Sequence, residues 1–218
     1  MDHPPPHPVA FPIPMTGSID PFQYSSLRQP TLDIFVTQHA FEVLGDVKQM
    51  EGTANKYFST IYLRMPIISR KKFFSQLPTL YSKPRADFTV LCLCIHVLIR
   101  RPEGVESAGH YTQTMQSSCY VMVKSFIGVL QSLTTATLEL VQAMVLVAFY
   151  EMGHAMYPAA SVSIASCAKA ARAIGLAERH DDVPNDDQSI KALFEQHRRV
   201  WWAVLNLDRY GPCYYCEP

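Results

Sequence analysis

The chain has 218 residues, of which 48% are hydrophobic and 17% charged, and its 19 basic side chains balance its 19 acidic ones. This composition is typical of a globular domain and excludes collagen-like chains and disulfide-rich scaffolds. The zero net charge provides no overall positive field, so any contact with DNA would need a local basic patch. The length predicts one domain with a sizeable core.

The N-terminal segment is too rich in proline for a helix or a strand, so we expect residues 1–30 to form a disordered tail. From Thr31 the apolar residues recur at helical spacing, first as far as Gly45 and then in a second helix that ends before Pro66. Ser69 opens a third, short helix with a basic start. We interpret those basic residues as a solvated helix face rather than a phosphate site or an import signal.

The segments that follow predict the core of the domain. One is apolar on all sides and is expected to be the central helix, one is amphipathic, two form a helical hairpin, and one is a long C-terminal helix. These helices are predicted over residues 88–99, 111–133, 137–153, 158–175 and 187–210. Gly153 and Gly175 end the two arms of the hairpin and suit the left-handed conformation that often follows a helix.

No segment alternates in the manner of a strand, so the predicted fold class is all-α, a multi-helix bundle or array of helical hairpins. The helical domain is expected over residues 31–212, with a short tail at residues 213–218. No apolar stretch approaches the roughly 20 residues that span a bilayer, and the first residues show no secretory signal. We therefore expect no membrane association and reduced cysteines inside the cell.

Residues that could bind a metal are present, but their spacing does not favour a site. Cys92 and Cys94 lie two positions apart and point to different faces of a helix. The acidic loop at residues 180–187 lacks the spacing of a calcium loop, and Cys213 with Cys216 is a lone pair without a second one. We expect no metal and no cofactor.

Motifs of enzymes, such as a glycine-rich phosphate loop or a nucleophile elbow, are missing from the sequence. The chain is therefore not expected to be an enzyme. A small helical enzyme that uses His154, Glu151 or His180 as acid or base remains an alternative, which predicts that these residues cluster in a cleft.

The C-terminal helix carries two adjacent tryptophans, Trp201 and Trp202, which project about 100° apart. One is expected in the core and the other against a neighbouring helix or a ligand. If Trp201 is the buried one, replacing it with alanine should cost about 3–5 kcal/mol. The apolar face of this helix is predicted over residues 190–205, and Glu195 with Arg199 forms a favourable pair on its surface.

Several segments carry a more specific signal than any single motif. They are YFSTIYLRMPIISRKKFF (57–74), KPRADFTVLCLCIHVL (83–98), the hairpin (137–176) and HRRVWWAVLNLDRY (197–210). Together they resemble the regulatory, or middle homology, region of fungal zinc-cluster (Zn2Cys6-type) transcription factors, in the right order. The residues that carry the family motif are Tyr157, Pro158, Arg198, Arg199, Trp201, Trp202, Asp208 and Arg209.

The resemblance implies an all-α regulatory domain of a nuclear transcription regulator, often one of secondary metabolism. Its partners would be other transcription factors or a second copy, and a small-molecule effector could bind between helices, at a surface that includes Tyr150, Met156 and Trp202. The family's cysteine-rich module, which holds zinc and reads DNA, has no counterpart in this sequence. We therefore expect DNA to be reached only indirectly.

Family members continue with further helices beyond the position of the last residues, GPCYYCEP. The resemblance therefore implies a version of the domain that is incomplete at its C-terminus. A truncated, non-functional fragment of a zinc-cluster regulator is the alternative interpretation.

Overall fold

The computed structural model describes residues 21–100, 118–178 and 188–210, and all regular structure within these ranges is helical. The predicted all-α class is confirmed. In chain order the helices are α1 (Pro21–Leu44), α2 (Val47–Ser59), a 3₁₀ helix (Ile61–Leu63), α3 (Arg70–Gln76), α4 (Thr79–Ser82), α5 (Ala86–Ile99), α6 (Ser118–Leu133), α7 (Leu138–Gly153), α8 (Tyr157–Ala173) and α9 (Gln188–Tyr210).

Some predictions fall on residues outside the described ranges. These are the start of the N-terminal tail, the first turns of the helix predicted from Tyr111, the acidic loop at 180–187 with His180, and the C-terminal pair Cys213 and Cys216.

The first helix begins earlier than the sequence pattern predicts. α1 starts at Pro21, whereas the helical spacing becomes clear only from Thr31. The expected tail ended at Pro30 because proline lacks a backbone N–H and crowds the preceding helical turn. The structure carries the helix through Pro30 at the cost of one backbone hydrogen bond.

A tight connection joins α1 to α2. Gly45 takes φ = +69°, a left-handed conformation that favours glycine. Asp46 then caps α2: its Oδ1 accepts from the N–H of Gln49 at 2.8 Å, and Gln49 Oε1 accepts from the N–H of Asp46 at 2.9 Å. This reciprocal capping box satisfies two backbone donors at the start of the helix.

α5 is the central helix, as its sequence predicts. It is buried on almost all sides and packs against α1, α2, α6 and α7. Cys92 and Cys94 are both buried within it. Its N-terminus is tied to the first helix, because Asp33 Oδ1 accepts from the backbone N–H of Ala86 at 2.6 Å.

α7 and α8 form the predicted hairpin and make the most extensive helix pair of the described chain. Small buried side chains of α8, such as Ala160, Ala168 and Ala171, allow this close approach. The turn between the helices differs from the prediction. Gly175 takes the left-handed conformation with φ = +75°, but Gly153 does not, because α7 continues through it.

The left-handed position after α7 is instead Ala155, with φ = +56°. The chain reverses there, and the N–H of Met156 closes the turn by donating to the carbonyl of Glu151 at 2.8 Å. A helix C-terminus commonly uses such a residue, although glycine adopts this conformation with less strain.

α9 packs against α7 and α8, mainly through its C-terminal half. The predicted apolar face is therefore only partly correct: Ile190 and Leu193 are 36% and 44% exposed. The buried side is made by Gln196, Val200, Ala203, Val204 and Leu207. The first turns of α9 are therefore less well covered than its C-terminal half.

Candidate functional site

A groove of about 720 Å³ lies where the end of α7, the start of α8 and the C-terminal half of α9 meet the segment after the 3₁₀ helix. We call this space the groove. It is lined by Arg64, Met65, Pro66, Ile67, Phe149, Met152, Gly153, Tyr157, Glu195, Arg198, Arg199, Trp202, Ala203, Asn206 and Leu207.

The segment at residues 64–67 forms one wall and is held rigidly. Ile67 is 1% exposed, and its carbonyl oxygen accepts a hydrogen bond from Gln142 Nε2 of α7 at 2.7 Å. The N–H of Met65 also donates to the carbonyl of Ile61 at 3.1 Å. Because Gln142 is itself buried, this contact pairs two polar groups that water cannot reach.

The floor of the groove is apolar and partly aromatic. Phe149 and Met152 come from α7, and Tyr157 comes from the first turn of α8. Trp202 projects from α9 and remains 53% exposed, which is unusual for so large an apolar side chain. The groove therefore presents aromatic surface that a bound group could cover.

The polar edge of the groove is formed by Glu195, Arg198 and Arg199 of α9, and a third arginine, Arg64, lines the groove from the wall at residues 64–67. Glu195 forms ion pairs with both Arg198 and Arg199, and the Arg199 Nε lies 2.8 Å from Glu195 Oε1. The hydrogen bond from Arg199, opposed by partial burial and assisted by Arg198, lowers the pKa of Glu195. Glu195 is therefore ionised at neutral pH, and the predicted Glu195–Arg199 pair is present.

Of the residues predicted for a ligand or partner surface, only Trp202 lines the groove. Tyr150 and Met156 lie in the core instead, 6% and 5% exposed. The Tyr150 ring stacks on Tyr120, with ring centroids 5.5 Å apart. The groove is lined instead by Phe149, the neighbour of Tyr150 in the sequence, which lies about 100° further round α7.

Trp201 and Trp202 have different environments, as the helical geometry predicts. Trp201 is half-buried, packs against the core and carries the guanidinium carbon of Arg172 at 5.9 Å from its ring centroid. It does not line the groove.

The remaining motif residues do not converge on one site. Tyr157, Arg198 and Arg199 line the groove, whereas Asp208 and Arg209 lie on the exposed side of the last turn of α9. Pro158 is exposed in the first turn of α8, where proline is well tolerated.

A second polar cluster lies inside the bundle, and the sequence pattern does not predict it. Glu151 of α7 is fully buried, and its Oε1 accepts hydrogen bonds from the Tyr120 hydroxyl at 2.7 Å and pairs with Lys124 Nζ at 2.9 Å. Lys124 also donates to Ser163 Oγ at 2.6 Å. The signal was available, because an acid within an apolar helix needs a partner.

This cluster does not support the enzyme alternative. Glu151 is 0% exposed, so a substrate in solution has no access to it. The Nδ1 of His154 lies 2.8 Å from the carbonyl oxygen of Tyr150, within its own helix. Neither residue lines the groove, and His180 lies outside the described residues.

Within the described ranges, histidine, cysteine and acidic side chains form no group of three that could hold a metal ion. The cysteines described there are free and buried, and burial raises the pKa of Cys167 to about 12. In the same ranges no helix has the length and apolar character needed to cross a membrane.

Comparison with known proteins identifies the family. Residues 54–211 match the fungal specific transcription factor domain. The chain is also 30% identical over 172 residues to the protein named transcription factor BOA15 of Botryotinia fuckeliana (strain B05.10), covering 79% of this chain and 89% of that protein. No solved structure gives a significant match. Because the domain match spans well over half of the sequence, the chain belongs to the family of fungal-specific transcription factor domains.

Proposed function

We propose that this chain acts in the nucleus as an effector-responsive regulatory domain, and that a small molecule bound in the groove controls its contacts with other transcription regulators. The family and the relative named a transcription factor support a role in transcription. We also propose that the chain controls secondary-metabolite genes and that it pairs with a second regulator or a second copy of itself. These two parts of the proposal rest on the sequence resemblance.

The groove is the observation that carries the small-molecule part of the proposal. Its volume of about 720 Å³ lies in the range of roughly 300–1,000 Å³ that is typical of small-molecule sites. Such sites are mostly apolar and carry a few polar groups that orient the ligand. The aromatic floor and the polar edge at Glu195 fit this description.

Indirect action on DNA is supported by the contacts of the basic run at residues 70–72. Lys72 forms an ion pair with Glu139 at 2.9 Å, and the Arg70 guanidinium lies over the Phe58 ring at 5.8 Å. Two of the three charges of this run therefore serve contacts within the domain. Since the whole chain has no net charge, it offers little affinity for phosphates.

A reporter assay tests the proposed function. The full chain is fused to a bacterial operator-binding domain and expressed in a fungal host that carries a reporter behind that operator. We expect nuclear accumulation and reporter output different from that of the operator-binding domain alone. Trp202→Ala should abolish most of this difference because it removes an aromatic side chain from the groove.

Phe35→Ala is the matched control, because Phe35 is an aromatic residue of similar exposure, 45% against 53%, and does not line the groove. Equal outputs from the two variants would contradict the role of the groove. A second measurement addresses DNA directly: fluorescence anisotropy of the purified chain with DNA at two salt concentrations should show only weak, salt-sensitive binding. Sub-micromolar, sequence-dependent binding would refute the indirect mechanism.

A further inference from the structure

We infer that the ligand of the groove is a small anion, a carboxylate or a similar acid attached to an apolar, aromatic body. This inference rests on the proposed function and adds to it the chemical class of the effector.

The charges along the groove carry the first part of the inference. Three guanidinium groups, Arg64, Arg198 and Arg199, line it, and Glu195 is the single acid among its described lining residues. The remaining lining residues carry no formal charge at neutral pH. The groove therefore holds a surplus of two positive charges in a chain whose net charge is zero.

Glu195 neutralises only part of this charge. Its two carboxylate oxygens each hold one arginine, Oε1 pairing with Arg199 and Oε2 with Arg198. One carboxylate shared between two guanidinium groups leaves donors of both available, since each guanidinium carries five N–H groups. The side chains of Arg198 and Arg199 are 68% and 45% exposed, so these donors are accessible.

Arg64 has no ion pair in the part of the chain that the structure describes. It follows the 3₁₀ helix, where its backbone N–H donates to the carbonyl of Ile61 at 2.9 Å, and its side chain is exposed. The backbone is thus fixed, while the guanidinium has no ion pair among the described residues. Arginine recognises a carboxylate through two parallel hydrogen bonds, which makes an acid the best complement for this position.

The floor of the groove indicates the chemistry of the uncharged part of the ligand. Trp202, Phe149 and Tyr157 offer aromatic surface, and Met152 lies beside them. An apolar ring placed there would cover the exposed part of Trp202 and gain the stabilisation of aromatic packing. The ligand would therefore be amphipathic, with its acid at the arginine edge and its ring on the floor.

A matched pair of fluorescent probes tests this class. Anilinonaphthalene sulfonate is an aromatic anion, and N-phenylnaphthylamine is the same aromatic body without the sulfonate. We expect the folded chain to bind the anionic probe about tenfold more tightly than the neutral one, since a charged hydrogen bond typically contributes that factor or more. Added salt should reduce this preference.

Variants assign the preference to the groove. Arg64→Gln should lower the affinity for the anionic probe about tenfold and leave that for the neutral probe unchanged. Lys48→Gln removes an exposed positive charge that does not line the groove and should change neither. Trp202→Ala should weaken both probes, whereas Phe35→Ala should weaken neither. Circular dichroism of each variant confirms that it is folded.

The outcomes separate the two proposals. If both probes bind equally and Arg64→Gln matches Lys48→Gln, the groove binds small molecules but the anionic class is wrong. If neither probe binds, or if Trp202→Ala and Phe35→Ala behave alike, the groove is not a small-molecule site and both proposals fail.

Discussion

The two ends of α7 each bury a glutamate, and they do so in different ways. Glu139 lies in the first turn, is 7% exposed and pairs with Lys72 at 2.9 Å and with Arg85 at 3.8 Å. Glu151 lies in the last turn, is fully buried, and leaves its Oε2 without a hydrogen-bond partner in the described structure.

The helix dipole increases this difference. A negative charge is stabilised at the N-terminus of a helix, where Glu139 lies, and destabilised at the C-terminus, where Glu151 lies. Thr137 also caps the first end, accepting from the N–H of Leu140 at 3.2 Å and donating to Asp87 at 2.9 Å.

The buried glutamate at the first end of α7 is thus well paired. The buried glutamate at the last end lies next to the groove and is only partly paired, so its burial costs more free energy. Phe149, Met152 and Gly153 at this end line the groove on one side, and Glu151 faces α6 on the other. A ligand in the proposed site would therefore contact the end of α7 that carries the less completely paired glutamate.

The largest expected effect comes from removing the cation at the last end. Lys124→Met leaves the Glu151 carboxylate buried without its ion pair, which should lower the free energy of unfolding by about 3–5 kcal/mol. Urea denaturation measures this loss. The double variant Lys124→Met with Glu151→Gln removes both charges and should recover most of it. Failure of the second substitution to recover stability would show that the charge of Glu151 is not the cause.

Substitutions of the two tryptophans of α9 distinguish a side chain that packs against the core from one that contacts the groove. Trp201 is half-buried rather than fully buried, so Trp201→Ala should cost about 2 kcal/mol instead of the 3–5 kcal/mol expected for complete burial. Trp202→Ala should cost less than about 1 kcal/mol, because the side chain is largely exposed. Equal losses of stability in thermal unfolding would contradict this division.

The stabilisation contributed by Glu139, at the first end of α7, should depend on pH. Burial alone would raise the pKa of Glu139, but the hydrogen bond and charge of Lys72, with the charge of Arg85, lower it below its usual value. Glu139→Gln should therefore cost about 1.5 kcal/mol at neutral pH, the contribution of a charged hydrogen bond.

The sign of the pH effect follows from the lowered pKa. The stabilisation by Glu139 is fully present above the ordinary glutamate pKa of about 4.3 and is lost as the pH falls through the lower pKa of the folded state. Urea denaturation at neutral and acid pH should show the wild type and Glu139→Gln converging in acid. The exposed Glu51→Gln is the control, and a gap that persists in acid would exclude this electrostatic origin.

The sequence predicts the helices well because helical spacing is a local property. The positions of α5, α7 and α8 follow from apolar residues, from Thr137 as a cap and from Pro158 in a first turn. The start of α1 is harder to predict from the sequence, because Pro30 interrupts the helical pattern. The helix nevertheless continues through Pro30.

The groove was harder to predict because its position depends on how helices pack. α7 is apolar on nearly every side, so the sequence cannot tell which of Phe149 and Tyr150 faces the groove. Helix geometry predicts that the two adjacent tryptophans have different surroundings, but it does not say which of them faces the groove. The partners of Glu139 and Glu151 lie far along the chain, and only folding brings them together.

The smallest expected effect lies at the boundary between α7 and the groove. Gly153 has helical geometry, and a Cβ at this position would have no atom within 4 Å apart from its chain neighbours and the backbone of its own helix. Gly153→Ala should therefore stabilise the protein by about 0.5 kcal/mol, because alanine loses less backbone entropy in a helix. Because Gly153 lines the groove, we also expect the same variant to reduce the effect of a groove probe on the protection of the last turn of α7 from hydrogen exchange. Unchanged stability would contradict the entropy argument, and an unchanged effect on exchange would contradict a link between the groove and this end of α7.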